Sequence, residues 1–293
     1  MVVVNIKIKR TSFENDKENS YFQTFVYDGD INSSIAFVIE DINSRKDIID
    51  VNGKKSSKIN WECGCLQKKC GACGMIINGS PSLACSSFLM DFLDNNNSNN
   101  DKVNKNNNIN NKNNNINNKN NNINNKNNNI NNIDNVNNKN NKKNNNISKT
   151  ITLEPLSKFP TVNDLIVNKK MVFDSLNEMK LYLESDAKLS KNQHESEYQS
   201  SRCLMCGCCL EVCPNFNLEN DFNGALSMVN AFKLLIQEKD EKHKEKMMDE
   251  YNKHYYAHCG KSLSCNDICP MNIPIEELLN KSNAIAVWKR KID

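Results

Sequence analysis

No apolar run in this 293-residue chain comes near the roughly 18 residues that a membrane-crossing helix needs, so it reads as soluble or peripheral. Its start lacks an apolar core with a small-residue cleavage site, and it lacks an Arg- and Ser-rich presequence. From Val2 to Lys9, apolar and polar residues alternate directly, as in a first strand, and no removable targeting segment is expected. A basic excess is missing too. Net charge is +3, but residues 95–148 hold eight Lys and two Asp, leaving −3 for the remainder and no electrostatic reason to expect a nucleic-acid partner. Without a secretory signal the 13 cysteines are expected in a reducing compartment, where clustered thiols bind metal more often than they pair, and an odd count leaves at least one unpaired.

Residues 95–148 are almost entirely Asn, Lys and Ile, and the unit Lys-Asn-Asn-Asn-Ile-Asn-Asn repeats four times from Lys105. The seven-residue period is not a coiled coil, because each unit has one apolar residue where a helical seam needs two. One Ile in seven cannot offset the entropy of ordering the chain, so the tract is expected to be disordered. It separates residues 1–94 from residues 149–293, each long enough to be a domain. In the first, Val2–Lys9 and Tyr21–Tyr27 read as strands, Ser34–Ile42 as a helix carrying Ile35, Phe37, Val38 and Ile42, and Met75–Gly79 as a strand ending in a turn. Together they predict a small α+β domain. In the second, Thr150–Leu153 reads as a returning strand and Pro155–Pro160 as a crossing between domains. Beyond these, Ala225, Met228, Val229, Phe232, Leu235 and Ile236 predict one apolar helix face, and Pro274 suits the first position of a final helix.

The chemistry is in the cysteines. Cys65, Cys70, Cys73 and the more distant Cys85 have the 4-and-2 spacing of plant-type [2Fe–2S] loops. A zinc site, the alternative, normally shows two short Cys-x2-Cys pairs, and only Cys70 with Cys73 qualifies. Gly64 and Gly71 fall where a loop wrapping a cluster needs backbone angles that Gly adopts cheaply. Cys203, Cys206, Cys209 and Cys213-Pro214 form the bacterial ferredoxin run, whose fourth cysteine serves the other cluster of a pair. A partner run exists in Cys259, Cys265 and Cys269-Pro270, with Ser262 where its second cysteine would stand. Crossing the runs gives Cys203, Cys206, Cys209 and Cys269 to a [4Fe–4S] cluster, and Cys213, Cys259 and Cys265 to a three-thiolate cluster. The latter is either [3Fe–4S] or one whose fourth iron is held by the Ser262 hydroxyl, a harder and weaker ligand. Cys63 and Cys208 remain as partly buried thiols beside ligands, or as substitutes or tuners for them. Trp61 beside the first loop reads as packing.

With the three motifs in this order, and with Asn78-Gly79, Leu83-Ala84-Cys85, Leu153-Glu154-Pro155-Leu156 and Val212-Cys213-Pro214-Asn215 around them, the chain resembles the iron–sulfur subunits of the succinate dehydrogenase and fumarate reductase family. The resemblance implies an α+β protein with an N-terminal β-grasp [2Fe–2S] ferredoxin domain and a C-terminal α-helical ferredoxin domain holding [4Fe–4S] and [3Fe–4S]. It implies an FAD-containing flavoprotein partner that carries the dicarboxylate site, a membrane anchor sharing a quinone, and a peripheral place on the inner face of an energy-converting membrane. That membrane would be mitochondrial, matrix side, in a eukaryote, and otherwise the bacterial cytoplasmic membrane. Pro214, Asn215 and His258 would lie in the quinone vicinity. The segment from Pro214 to Leu218 lacks the Ser and the Trp pair that follow this Cys-Pro in the ubiquinone-linked branch, and Gly260 stands where that branch has a His. An alternative role is therefore a soluble adaptor serving another dehydrogenase or a thiol-linked fumarate reductase.

Overall fold

Alternation at the start of the chain is that of a half-buried strand. In the computed structural model, which describes residues 2–14, 17–93, 149–187 and 189–288, Val4, Ile6 and Ile8 are fully buried while Val3 is exposed. They belong to β1 (Val2–Glu14), antiparallel to β2 (Lys17–Gly29). Both strands outrun the apolar alternation because buried polar groups take over its positions. Arg10 donates to Asp164 at 2.9 Å, Gln23 at 3.1 Å, Ser57 Oγ at 3.0 Å and the Lys58 carbonyl at 2.9 Å. Asp164 accepts in turn from the backbone N–H groups of Thr11 and Asn60. A buried pair satisfied on this scale is tolerated where an orphaned charge would not be, and it ties β1 to residues on the far side of the tract.

The sheet continues with β3 (Gly74–Ile77), β4 (Ser80–Leu83) and β5 (Lys149–Glu154), in the order β2-β1-β5-β3-β4, with β5 parallel to β1 and antiparallel to β3. Asn78 and Gly79, both left-handed, make the two-residue turn between β3 and β4. On the sheet lies α1 (Ile35–Ser44), capped by Ser34 Oγ accepting from Phe37 N, with Ile35, Val38, Ile39 and Ile42 buried. Phe37 is 58% exposed. Ile39, not Phe37, completes the i, i+3, i+4, i+7 stripe that faces the sheet. Residues 95–148, read above as disordered, lie outside the described residues.

After β5 come a small hairpin, β6 (Thr161–Asn163) and β7 (Ile166–Val167), the short α2 (Leu89–Leu93) having closed the first half. The rest is helical: α3 (Lys170–Glu178), α4 (His194–Ser201), α5 (Cys208–Glu211), α6 (Gly224–Leu235), α7 (Glu241–Tyr251), α8 (Ser264–Asp267) and α9 (Ile275–Ala286). Pro274 caps α9 from outside; the first helical position is Ile275. The predicted single apolar face of α6 is too narrow. Leu226, Ser227 and Ala231 are buried as well, because α3, α4, α5, α7 and α9 all pack on this one helix. The described residues before and after the tract form one compact unit with two cores, and Cys206 and Cys208 of the helical half pack into the core of the sheet half. Among the described residues no helix is long and apolar enough to cross a membrane.

Beyond α6, Glu238 is fully buried. Burial opposes its ionisation, yet bonds from Ser185 Oγ and the N–H groups of Glu184, Asp240 and Lys239 hold its carboxyl at about 2, against an ordinary 4.5. A depressed folded value gives stability that is complete above pH 4.5 and is lost as pH falls from there through about 2. Glu238→Gln should cost about 2 kcal/mol at pH 7, and the gap between its urea midpoint and that of the parent should close steadily below pH 4.5.

Candidate metal centres

The first loop crosses from the core edge at Ile59 to β3. Its backbone turns amides on to sulfur: Cys65 Sγ accepts from Gln67 N at 3.3 Å and Lys69 N at 3.2 Å, and Cys70 Sγ accepts from Cys65 N at 3.4 Å. The two amides hold the Cys65 thiol down to about 7. Burial pushes Cys73 up to about 12, with Cys85 and Cys70 close enough to add to it. Ala84 N donates to the Cys73 carbonyl at 3.0 Å, which sets Cys85 beside Cys73. Cys65, Cys70 and Cys73 thus neighbour one another along the loop, and Cys85 is brought up beside Cys73 from the turn that follows β4. Gly71 has the expected positive φ of 72°, but Gly64 does not: its hydrogen makes room for Cys70 Sγ, 3.2 Å from where a β-carbon would be. Leu66 and Lys68 carry the other left-handed turns, at φ 53° and 57°. Lys68→Gly should therefore stabilise the protein by about 1 kcal/mol, read as a raised denaturation midpoint.

The two C-terminal runs repeat each other in backbone as well as in spacing. Left-handed residues stand two and four places after the first cysteine of each, Met205 and Gly207 in one, Lys261 and Leu263 in the other. A one-turn helix then opens five places after it, at Cys208 and at Ser264. Ser262 therefore occupies the structural position of Cys206. The runs also exchange ends. One recess is lined by Cys203, Cys206, Cys209 and Cys269, and another by Cys213, Cys259, Cys265 and Ser262. Lys158 fixes the Cys213 turn, donating from Nζ to the carbonyls of Cys213 and Phe216.

Thiol chemistry tests what these recesses suit. Burial raises Cys203 and Cys265 to about 11 and pushes Cys209 and Cys269 up as well, with neighbouring thiols adding repulsion. Thiols raised in this way ionise together only when cations among the sulfurs compensate them. Among the described residues no three ligand-type side chains close on a single point, as one ion would require. The thiols of the two C-terminal sets instead share recesses, four lining one and three with Ser262 lining the other, and an all-thiol donor set spread in this way fits polynuclear iron–sulfide cores.

Several neighbours were not visible in the spacing. Tyr255 Oη lies 3.5 Å from Cys259 Sγ on a π-helical turn, Asn252–Tyr256, and Asn230 Nδ2 is 3.9 Å from Cys203 Sγ. The four-residue step from Tyr255 to Cys259 was the available signal. Cys208 is fully buried, and its thiol donates to Cys206, holding the latter at about 7. Cys63, expected to be partly buried, is exposed, because it sits on the outer turn of the first loop. Trp61 packs on the sheet core and donates to Glu40 at 2.9 Å. Asn215 lines the second recess and its Nδ2 donates to the His258 carbonyl at 2.8 Å; Pro214 and His258, both exposed, adjoin Cys213 and Cys259 in the chain, and the His258 ring lies beside Phe222.

Comparison with known proteins finds two iron–sulfur cluster domains in this order. The 2Fe-2S iron-sulfur cluster binding domain family matches residues 5–174, and the 4Fe-4S dicluster domain family matches residues 199–273. A Bacillus subtilis protein named succinate dehydrogenase iron-sulfur subunit is 28% identical over 244 residues, covering 79% of this chain and 73% of its own. The Wolinella succinogenes fumarate reductase iron-sulfur subunit is 24% identical over 245 residues, covering 80% and 77%. Among solved structures, a chain of the Mycobacterium smegmatis Sdh1 complex in the apo form superposes with a TM-score of 0.61 at 13% identity, covering 96% of each chain, a likeness of fold.

Proposed function

Because the chain belongs to the 2Fe-2S iron-sulfur cluster binding domain family, we propose that it is the electron-transfer subunit of a succinate:quinone or quinol:fumarate oxidoreductase. Cys65, Cys70, Cys73 and Cys85 would hold [2Fe–2S], Cys203, Cys206, Cys209 and Cys269 [4Fe–4S], and Cys213, Cys259 and Cys265 [3Fe–4S], in domains of residues 1–94 and 149–293. When bound, the clusters supply one-electron relay between FAD on a flavoprotein partner and a quinone shared with a membrane anchor. The chain itself supplies thiolates, amides directed at sulfur and dry recesses. It carries no dicarboxylate site in this reading, and it sits peripherally on the inner face of an energy-converting membrane. Pro214, Asn215 and His258 mark its quinone end.

The observation that carries the reading is the exchange of cysteines between two backbone-equivalent runs, beside a loop of plant-type spacing. Purification of the tagged chain from its native membrane tests it. A flavin-containing subunit and an anchor should copurify, with paramagnetic signals of [2Fe–2S] on reduction and [3Fe–4S] on oxidation. Zinc alone, with neither signal, would reject electron transfer. A soluble complex with full activity and no reaction with quinone would reject the membrane assembly in favour of the adaptor.

A further inference from the structure

Two ligand loops touch at one place. A β-carbon on Gly71 would meet the Leu204 carbonyl oxygen, and one on Gly74 would meet the Cys206 carbonyl oxygen at 2.9 Å, so the backbone of the first loop lies directly against that of the second. Lys169 stands at this junction. Its Nζ donates to the Ala72 carbonyl at 3.2 Å and to the Gly71 carbonyl at 3.4 Å, both between the ligands Cys70 and Cys73. Glu62 is the nearest carboxylate, at 3.9 Å, and is the more exposed partner: the Lys169 side chain is 15% exposed and that of Glu62 44%. On the other side, the β-carbon position of Gly74 that meets the Cys206 carbonyl oxygen at 2.9 Å also lies 3.8 Å from Lys169 Nζ, so the ammonium faces the second loop as well.

The helix that Lys169 precedes does not account for it. Lys169 is the N-cap of α3, where the backbone dipole disfavours a cation and where its side chain makes no cap bond. Its neighbour Lys170 is answered by Asp174 one turn on, whereas Lys169 points back to the cluster loop. In each loaded centre, thiolates and sulfides outweigh the charge on iron, so each carries net negative charge, and one more electron adds to it. A largely buried cation between two such groups acts on both, in a medium that screens it poorly.

We propose that Lys169 is a positioning residue shared by the first two centres, clamping their loops together and raising the reduction potential of both. The proposal rests on the iron–sulfur reading above. In the step it governs, one centre loses one electron and its neighbour gains it; no bond forms or breaks and no proton moves. Lys169 lowers the repulsion that a reduced centre exerts on the next.

The test is a potentiometric titration followed by electron paramagnetic resonance on the assembled complex, with Lys169→Met, Lys169→Gln and Lys169→Arg. Met and Gln should both lower the midpoint potentials of the [2Fe–2S] and [4Fe–4S] centres while the [3Fe–4S] centre stays put, and Arg should return both towards the parent values. Gln keeps an N–H donor for the two carbonyls without the charge, so it carries the test if Met fails to retain its clusters. Intact signals with unmoved potentials in the Gln variant, or an equal shift in all three centres, would overturn the proposal. A parent protein with no cluster signal would instead overturn the iron–sulfur reading itself.

Discussion

Gly71→Ala should destabilise the protein by about 4 kcal/mol and strip iron from both of the loops that meet there. The added carbon would collide with the Leu204 carbonyl oxygen and stand 3.1 Å from Cys206 Cα and Cβ, on a φ of +72°. About 1 kcal/mol comes from the left-handed backbone and the rest from overpacking against atoms that have no rotamer to retreat into. Two other glycines separate these terms. Gly53 has a φ of +78° and nothing within 4 Å of a β-carbon, so Gly53→Ala should show the backbone term alone, about 1 kcal/mol. Gly74 would meet the Cys206 carbonyl oxygen at 2.9 Å without a positive φ, so Gly74→Ala should fall between the two. Urea midpoints and iron content of the three variants check the order. Equal costs at Gly53 and Gly71 would show that the loops part freely and that their contact contributes nothing.

What could be read in advance follows from how local each feature is. Cysteine spacing within a run is set by a few residues of backbone, and the cross-run exchange follows from a spacing that leaves the fourth thiol pointing away from its own run. The edge alternation of Val4, Ile6 and Ile8 is local in the same sense. Contacts made across the tract are not. Lys169 reaches a carbonyl 98 positions earlier, and Arg10 pairs with a carboxylate 154 positions later, so neither announces itself as part of a site. The burial of α6 beyond one face and the outward turn of Phe37 go unseen for a related reason. Periodicity tells which residues share a face, while the number of faces covered depends on what packs there, and around α6 that includes the ligand runs themselves. Gly64 looked like a conformational glycine and proved to be a steric one, a distinction that only the position of Cys70 Sγ could make.

Cys269→Ala separates ligand exchange from simple nearest-neighbour ligation, and its expected effect is loss of a whole centre. Cys269 lies in the same run as Cys259 and Cys265, so nearest-neighbour ligation predicts loss of the [3Fe–4S] signal. The recess it lines is the other one, with Cys203, Cys206 and Cys209, and its thiol is pushed up by burial with Cys206 adding to the repulsion. The variant should therefore lose about four irons per chain and the reduced [4Fe–4S] signal, while keeping the oxidised [3Fe–4S] signal. Cys213→Ala should do the reverse, losing about three irons, because Cys213 lines the recess of Cys259 and Cys265. Either loss also removes a tether between stretches some fifty positions apart, since metal binding energy in such sites is folding energy. Both variants should accordingly unfold at lower denaturant than one altered at exposed Cys63, which lines neither recess. A Cys269→Ala protein with its [4Fe–4S] signal intact would mean that each run keeps its own fourth cysteine once iron is bound.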